Sequence, residues 1–127
     1  EQIEERVPGE YQRYEADPAT FRVGGGESGE MVAARLRELV ADLLGWWSAG
    51  GAAAEATGRT VVVVGHSSLN RILLAVLLES PLRDYRRRFE ADWASLSVLR
   101  WESATDGPKL LLGNDVAHLR GAAGVTW

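Results

Sequence analysis

Thr60-Val61-Val62-Val63-Val64-Gly65-His66-Ser67-Ser68 is the stretch that decides how this sequence folds. Four consecutive valines leave no polar alternation, so a strand made of them is apolar on both faces. Parallel sheets bury their strands in this way. A short polar turn follows at Gly65 to Ser68. Leu69 to Glu79 then has helical spacing, with Ile72, Leu73, Val76 and Leu77 inward. Strand, turn and helix together predict a βα unit of an α/β sheet. Open α/β sheets bind ligands at the carboxyl ends of their strands. His66 and Ser67 stand at that end, which makes them the first candidates for function.

Upstream of the strand, Gly24-Gly25-Gly26-Glu27-Ser28 leads into an amphipathic helix. Ser28 suits the N-cap, and Glu30 falls in the first turn, where the helix dipole favours a carboxylate. Val32, Leu36, Leu39, Val40, Leu43 and Leu44 share one face. Gly45 or the region from Ser48 to Gly51 ends the helix, and Gly50 to Gly58 reads as an Ala/Gly-rich connection. Val7 to Gly26 reads as irregular, with turn signals at Pro8-Gly9 and Asp17-Pro18. Tyr11, Tyr14 and Phe21 are expected to anchor that stretch by packing. Downstream, Ser80-Pro81 predicts an N-cap and a first helical residue. The following Arg86-Arg87-Arg88 reads as a solvated helix face rather than an anion grip. Leu96 to Trp101 and Lys109 to Gly113 flank the turn Thr105-Asp106-Gly107-Pro108, which predicts a hairpin. A Gly/Ala-rich tail follows Leu119.

The 127 residues suit a single domain, 1–127, and allow a real core. A net charge of -4 argues against nucleic acid as a partner. No apolar stretch is long enough to span a membrane, and no signal peptide is recognisable. Cysteine is absent, which excludes disulfides and thiolate metal sites and points to the cytoplasm. The chain opens on Glu1 rather than Met, and Glu1 to Arg6 reads as the end of an element with nothing before it to pack on.

Two chemistries compete at Gly65-His66-Ser67-Ser68-Leu69. A serine nucleophile on a G-x-S-x-G elbow would use Ser67, with Asp115 and His118 following in the order of an α/β-hydrolase triad. The final glycine is replaced by Leu69, however, and Asp115 and His118 are only three positions apart. The other chemistry is phosphoryl transfer through histidine. Gly25-Gly26-Glu27-Ser28, the helix, Val61 to Val64, Gly65-His66 and Arg71 occur in that order. Ser97-Val98-Leu99-Arg100-Trp101 and Leu110-Leu111-Leu112-Gly113-Asn114-Asp115-Val116-Ala117-His118-Leu119 complete the pattern. The whole arrangement resembles the C-terminal portion of the histidine phosphatase superfamily, in its phosphoglycerate mutase-like branch.

The resemblance implies an α/β three-layer sandwich with a mainly parallel central sheet and a C-terminal hairpin, a partial phosphoglycerate mutase-like fold. It implies phosphomonoester hydrolysis, or phosphoryl shuttling, through a phosphohistidine. His66 would be the second catalytic histidine, with His66 and Ser67 binding phosphate. Many members have Gly where Ser67 stands. Glu27 and Arg71 are secondary candidates, whose plain readings are a loop tether and a salt bridge. Asn114 and Asp115 suit a turn, and His118 would order the last strand. No metal or organic cofactor is implied. The expected partner is a small phosphorylated substrate, and homo-oligomerisation is left open.

The family's nucleophile is the His of an Arg-His-Gly segment on the first strand. This chain has two histidines, His66 after Gly65 and His118 after Ala117, and neither is preceded by Arg. The expectation is therefore a fragment of a longer phosphatase, with the first half, its Arg and its general acid supplied by the same or another chain. A non-catalytic remnant that binds an anion or a partner is the alternative.

Overall fold

The computed structural model describes residues 8–49 and 59–120. The connection expected at Gly50 to Gly58, the opening Glu1 to Arg6 and the tail beyond Arg120 lie outside these residues. Among the described residues four helices, α1 (Glu10–Ala16), α2 (Gly29–Ser48), α3 (Ser67–Leu77) and α4 (Tyr85–Arg88), precede an antiparallel hairpin of β1 (Leu96–Arg100) and β2 (Lys109–Asp115). Single 3₁₀ turns sit at Val23–Gly25, Leu82–Asp84 and Ala117–Leu119.

Local chemistry places α2. The Ser28 hydroxyl accepts the Met31 N–H at 3.3 Å, and Glu30 lies in the first turn, as the sequence predicts. Asp17 accepts both the N–H and the hydroxyl of Thr20, which folds residues 17–20 into a turn. That turn lies directly on the start of α2. The Glu30 N–H donates to the Ala19 carbonyl at 2.9 Å, and a Cβ on Gly29 would meet the Pro18 carbonyl oxygen at 2.7 Å. Gly29 is therefore required for this close approach.

The core lies among helices. Ala33 and Leu36 of α2, Ile72 and Ala75 of α3, and Tyr85 of α4 are buried together, flanked by Val32, Leu69, Leu73, Val76, Leu82 and Phe89. Ala33 and Ala75 are small, which lets α2 and α3 approach closely. Ile72 and Leu36 fill the remaining space.

Several expectations need correction. Residues Glu10–Ala16 are helical, not irregular. Tyr11 is exposed, while Tyr14 does anchor, through a hydroxyl–hydroxyl bond of 3.0 Å to Tyr85. Leu39 of α2 faces solvent, because only the Ala33–Leu36 side of that helix meets α3. Leu74 and Ala75 are more deeply buried in α3 than Leu73, Val76 and Leu77. Pro81, not Ser80, caps the turn before α4, and the Ser80 hydroxyl is buried without a partner. Arg87 and Arg88 keep the solvated face the sequence suggests, 78% and 55% exposed while pairing with Asp84, and Arg86 pairs with Glu15.

The largest departure is the sheet. The expected mainly parallel central sheet is not seen among the described residues; the two-stranded hairpin is the sheet they form. Thr60 to His66 makes no strand ladder, and Val62 and Val64 are 80% and 91% exposed. The hairpin is likewise uncovered at Leu96, Val98, Leu110, Leu111 and Leu112. A two-faced apolar strand needs neighbours that these residues do not supply.

This uneven burial predicts uneven mutational cost. Ile72→Ala should lower the unfolding free energy by about 2–5 kcal/mol, whereas Val64→Thr should change it by less than about 0.5 kcal/mol. Chemical denaturation reads both. A comparable loss for Val64→Thr would mean that the valine run is covered in solution.

Candidate functional site

His66 sits at the N-cap of α3 with extended backbone (φ -86°, ψ 157°) and an exposed side chain. The first helical bond runs from the Asn70 N–H to the His66 carbonyl at 2.8 Å. The N–H groups of Ser67, Ser68 and Leu69 precede that bond, so they are available at the positive end of the helix. An imidazole beside such an end suits an anion. Gly65 precedes it, and a side chain there would displace the ends of the Asn70 and Leu69 side chains. A Cβ there would meet the Asn70 amide oxygen at 2.5 Å, and the Asn70 amide nitrogen donates to the Gly65 carbonyl at 3.3 Å.

Ser67 does not behave as a nucleophile. Its hydroxyl donates to the Ala91 carbonyl at 3.1 Å, and neither Asp115 nor His118 is its partner. Asp115 instead accepts the Ala117 N–H, and His118 is exposed on the last 3₁₀ turn. The serine-hydrolase reading therefore has no assembled triad among the described residues. Ser67 acts as a tether. Its bond to Ala91 and the paired bonds between Asp92 and Asn114, at 2.8 and 2.9 Å, tie the 89–95 segment between the start of α3 and the end of β2. Asn114 takes a positive φ of 49°, which asparagine tolerates better than most residues. It lies within β2, where the register with β1 is irregular, rather than in the turn or cap the sequence suggested.

A cavity of about 280 Å³ opens beside His66. His66 and Ser68 line one part, and Val32, Leu69, Ile72 and Pro18 supply apolar surface. Tyr14, Tyr85, Glu27 and Arg35 complete it. Glu27 and Arg35 form a bidentate pair, Nε to Oε1 at 2.9 Å and Nη2 to Oε2 at 2.8 Å. The hydrogen bond and charge of Glu27 raise the Arg35 pKa further. Glu27 thus lines the cavity with His66. Arg71 does not line it. It reaches Glu90 at 3.5 Å, and its buried Nε has no partner among the described residues, so its plain salt-bridge reading stands.

Sequence reasoning missed Arg35 and Tyr85. Arg35 lies eight positions after Glu27, too far apart to suggest a pair before the loop and helix are placed. Tyr85 lies 71 positions from Tyr14. Arg86 stacks over the Tyr14 ring at 5.0 Å and pairs with Glu15 at 2.7 Å, so α1 is held onto α4 by three contacts. A second cavity, lined by Arg37, Ala75, Val76, Glu79, Ser80 and Leu82, lies at the other end of α3.

Burial, with help from the Tyr14 hydrogen bond, pushes the Tyr85 phenol above its ordinary value near 10. Its neutral form is therefore favoured in the fold. Above about pH 10 the unfolded chain releases a proton that the folded chain retains, so stability should fall as pH rises there. Tyr85→Phe should flatten that alkaline decline in a denaturation series from pH 8 to 11.

The comparisons with known proteins fit this geometry. The structure of a mycobacterial glucosyl-3-phosphoglycerate phosphatase with inorganic phosphate matches with a TM-score of 0.70 and 34% identity, over 91% of this chain and 56% of that one. The native structure of that phosphatase gives a TM-score of 0.68 and 34% identity, over 89% and 55%. A second structure, described as mycobacterial hydrolase 2, gives 0.67 and 30%, over 96% and 56%. The chain thus spans a little over half the length of these structures. Among curated proteins no match was found. The model of the histidine phosphatase superfamily (branch 1) matches residues 1–116, nearly the whole sequence, and on that ground the chain belongs to the histidine phosphatase superfamily.

Proposed function

We propose that this chain forms the second-histidine half of a cytoplasmic phosphomonoesterase that works through a phosphohistidine. The observation that carries the reading is the placement of His66. It is exposed, occupies the N-cap position beside the first N–H groups of α3 and lines a cavity, in a chain of this superfamily.

Phosphoryl transfer spreads negative charge over the equatorial oxygens, and catalysis is largely positioning and charge stabilisation. His66 would donate a hydrogen bond to one oxygen, and the Ser67 and Ser68 N–H groups would face another. The attacking imidazole would come from outside this chain's two histidines. Its nitrogen forms a bond to phosphorus while the ester oxygen leaves, taking a proton from a general acid. Water then attacks phosphorus, releases phosphate and regenerates the imidazole. The substrate is a small phosphomonoester, the class to which the glucosyl-3-phosphoglycerate of the solved phosphatase also belongs.

The uncovered valine run supports the second half of the proposal. Val61 to Val64 leads directly into His66, and its exposed edge fits a strand from the part of the superfamily domain that this chain does not span. Such a strand would end beside His66 and bring the Arg-His-Gly nucleophile with it. The mainly parallel three-layer sandwich and the single 1–127 unit belong to that completed domain. The same edge supports the alternative reading, a remnant that binds a partner without catalysis.

Phosphomonoesterase assays separate the two. The 127-residue chain alone should not hydrolyse p-nitrophenyl phosphate. Mixing it with the Arg-His-Gly half of a solved relative should restore turnover, and His66→Ala should reduce that turnover at least about a hundredfold. Hydrolysis by the pure chain, or full turnover with His66→Ala, would overturn the proposal. Stable assembly without turnover would favour the remnant.

A further inference from the structure

Of the four described helices, α1 is the one with no buried residue, yet it supplies a wall of the His66 cavity through Tyr14. Its seven residues are too few to hold a helix by themselves. α1 therefore depends on what it touches. The Glu10 carboxylate accepts the Gly24 N–H at 3.2 Å. The Tyr14 hydroxyl bonds that of Tyr85 at 3.0 Å. Arg86 adds two contacts: its guanidinium carbon lies 5.0 Å from the centre of the Tyr14 ring, and its Nη1 meets Glu15 Oε1 at 2.7 Å. All of these are polar and partly exposed, and each is weak alone. The two sides of the link are unequal. Tyr85 is 1% exposed within the core, so α4 is the fixed post and α1 the part able to move. A pivot is present as well. α1 ends at Asp17, and the turn that follows is fixed on the start of α2 by the Ala19 carbonyl, with Pro18 and Ala19 buried.

Resting on the phosphate reading of His66, we infer that α1 is a hinged wall of the His66 cavity, pivoting at Asp17 and latched by Arg86, which swings out to admit phosphomonoesters with bulky ester groups. With the latch closed the cavity measures about 280 Å³. That is just under the roughly 300 Å³ at which ligand clefts usually begin. Tyr14 travels with α1, so opening removes one wall while His66, Ser68, Leu69 and Ile72 stay on α3 and its start. Arg86 does not line the cavity; it is a positioning residue that acts through Tyr14 and Glu15. No core side chain has to move, because α1 contributes none.

Two measurements on the 127-residue chain test this. The first is amide hydrogen exchange, which needs no ligand. The Arg13 and Asp17 N–H groups, bonded to the Gly9 and Arg13 carbonyls, should exchange at least about a hundredfold faster than those of Ile72 to Ala75. Arg86→Gln should speed α1 by about a further tenfold, and Glu15→Gln by about threefold, with α3 unchanged. The second is a proton NMR titration read from the His66 ring, with His118 as internal control. Inorganic phosphate and 1-naphthyl phosphate are the probes. Exchange and the affinity for a bulky ester both follow the open fraction, so 1-naphthyl phosphate should bind more tightly in each variant by the factor that exchange gives. Inorganic phosphate should bind all three chains alike. Exchange in α1 as slow as in α3, or acceleration of both helices together in both variants, would overturn the hinge. Faster α1 exchange with no gain for 1-naphthyl phosphate would overturn its role as a wall and leave the phosphate site standing. No His66 response to inorganic phosphate would overturn the phosphate reading and the admission role with it, while the exchange data still decide the hinge.

Discussion

A strand that is apolar on both faces can be stable only when it is paired along its edges and covered above and below. Val61 to Val64 carries that demand, and the described residues do not meet it. The rest of the architecture follows from this one constraint. The helices pack on each other around Ala33, Leu36, Ile72, Ala75 and Tyr85, which gives the chain a core of its own. The valine run and both strands of the hairpin stay outside that core. Among the described residues the helices hold the core and the strands of the hairpin are laid bare.

The placement of the site follows from the same run. Gly65 carries the chain from the valines to His66, with the Asn70 amide nitrogen donating to its carbonyl, and His66 takes the N-cap position of α3. The helix then presents its free N–H groups at the same point. Ser67 adds a mechanical link. Its hydroxyl holds Ala91, and Asp92 holds Asn114, so the end of the hairpin is tied to the start of the site's helix. A residue that departs from the glycine of many family members is thus put to structural use, while its backbone N–H stays at the helix end.

Much of this was legible in the sequence where the controlling interactions are local. The Ser28 cap, the Glu30 position, the hairpin and α3 all depend on residues within a few positions of each other. The short α1 was not legible. Its seven residues lie between two turn signals, and it is held in place by the Tyr14–Tyr85 bond and the Arg86 contacts from α4. Helices that short are marginal without such packing. Leu39 was misplaced for a related reason. Helical periodicity marks an apolar face, but the width of the neighbouring helix decides how much of that face is covered.

The sequence by itself determined helix α3, the position of His66 at its start and the order of motifs that marks the superfamily. These rest on backbone sterics, capping and periodicity, which act over short distances along the chain. Only the tertiary structure decided that Glu27 and Arg35 join His66 in one cavity, that Ser67 is a tether, and that the valines are uncovered. Those facts depend on segments distant in sequence coming together, and no local pattern encodes which side chain will face which.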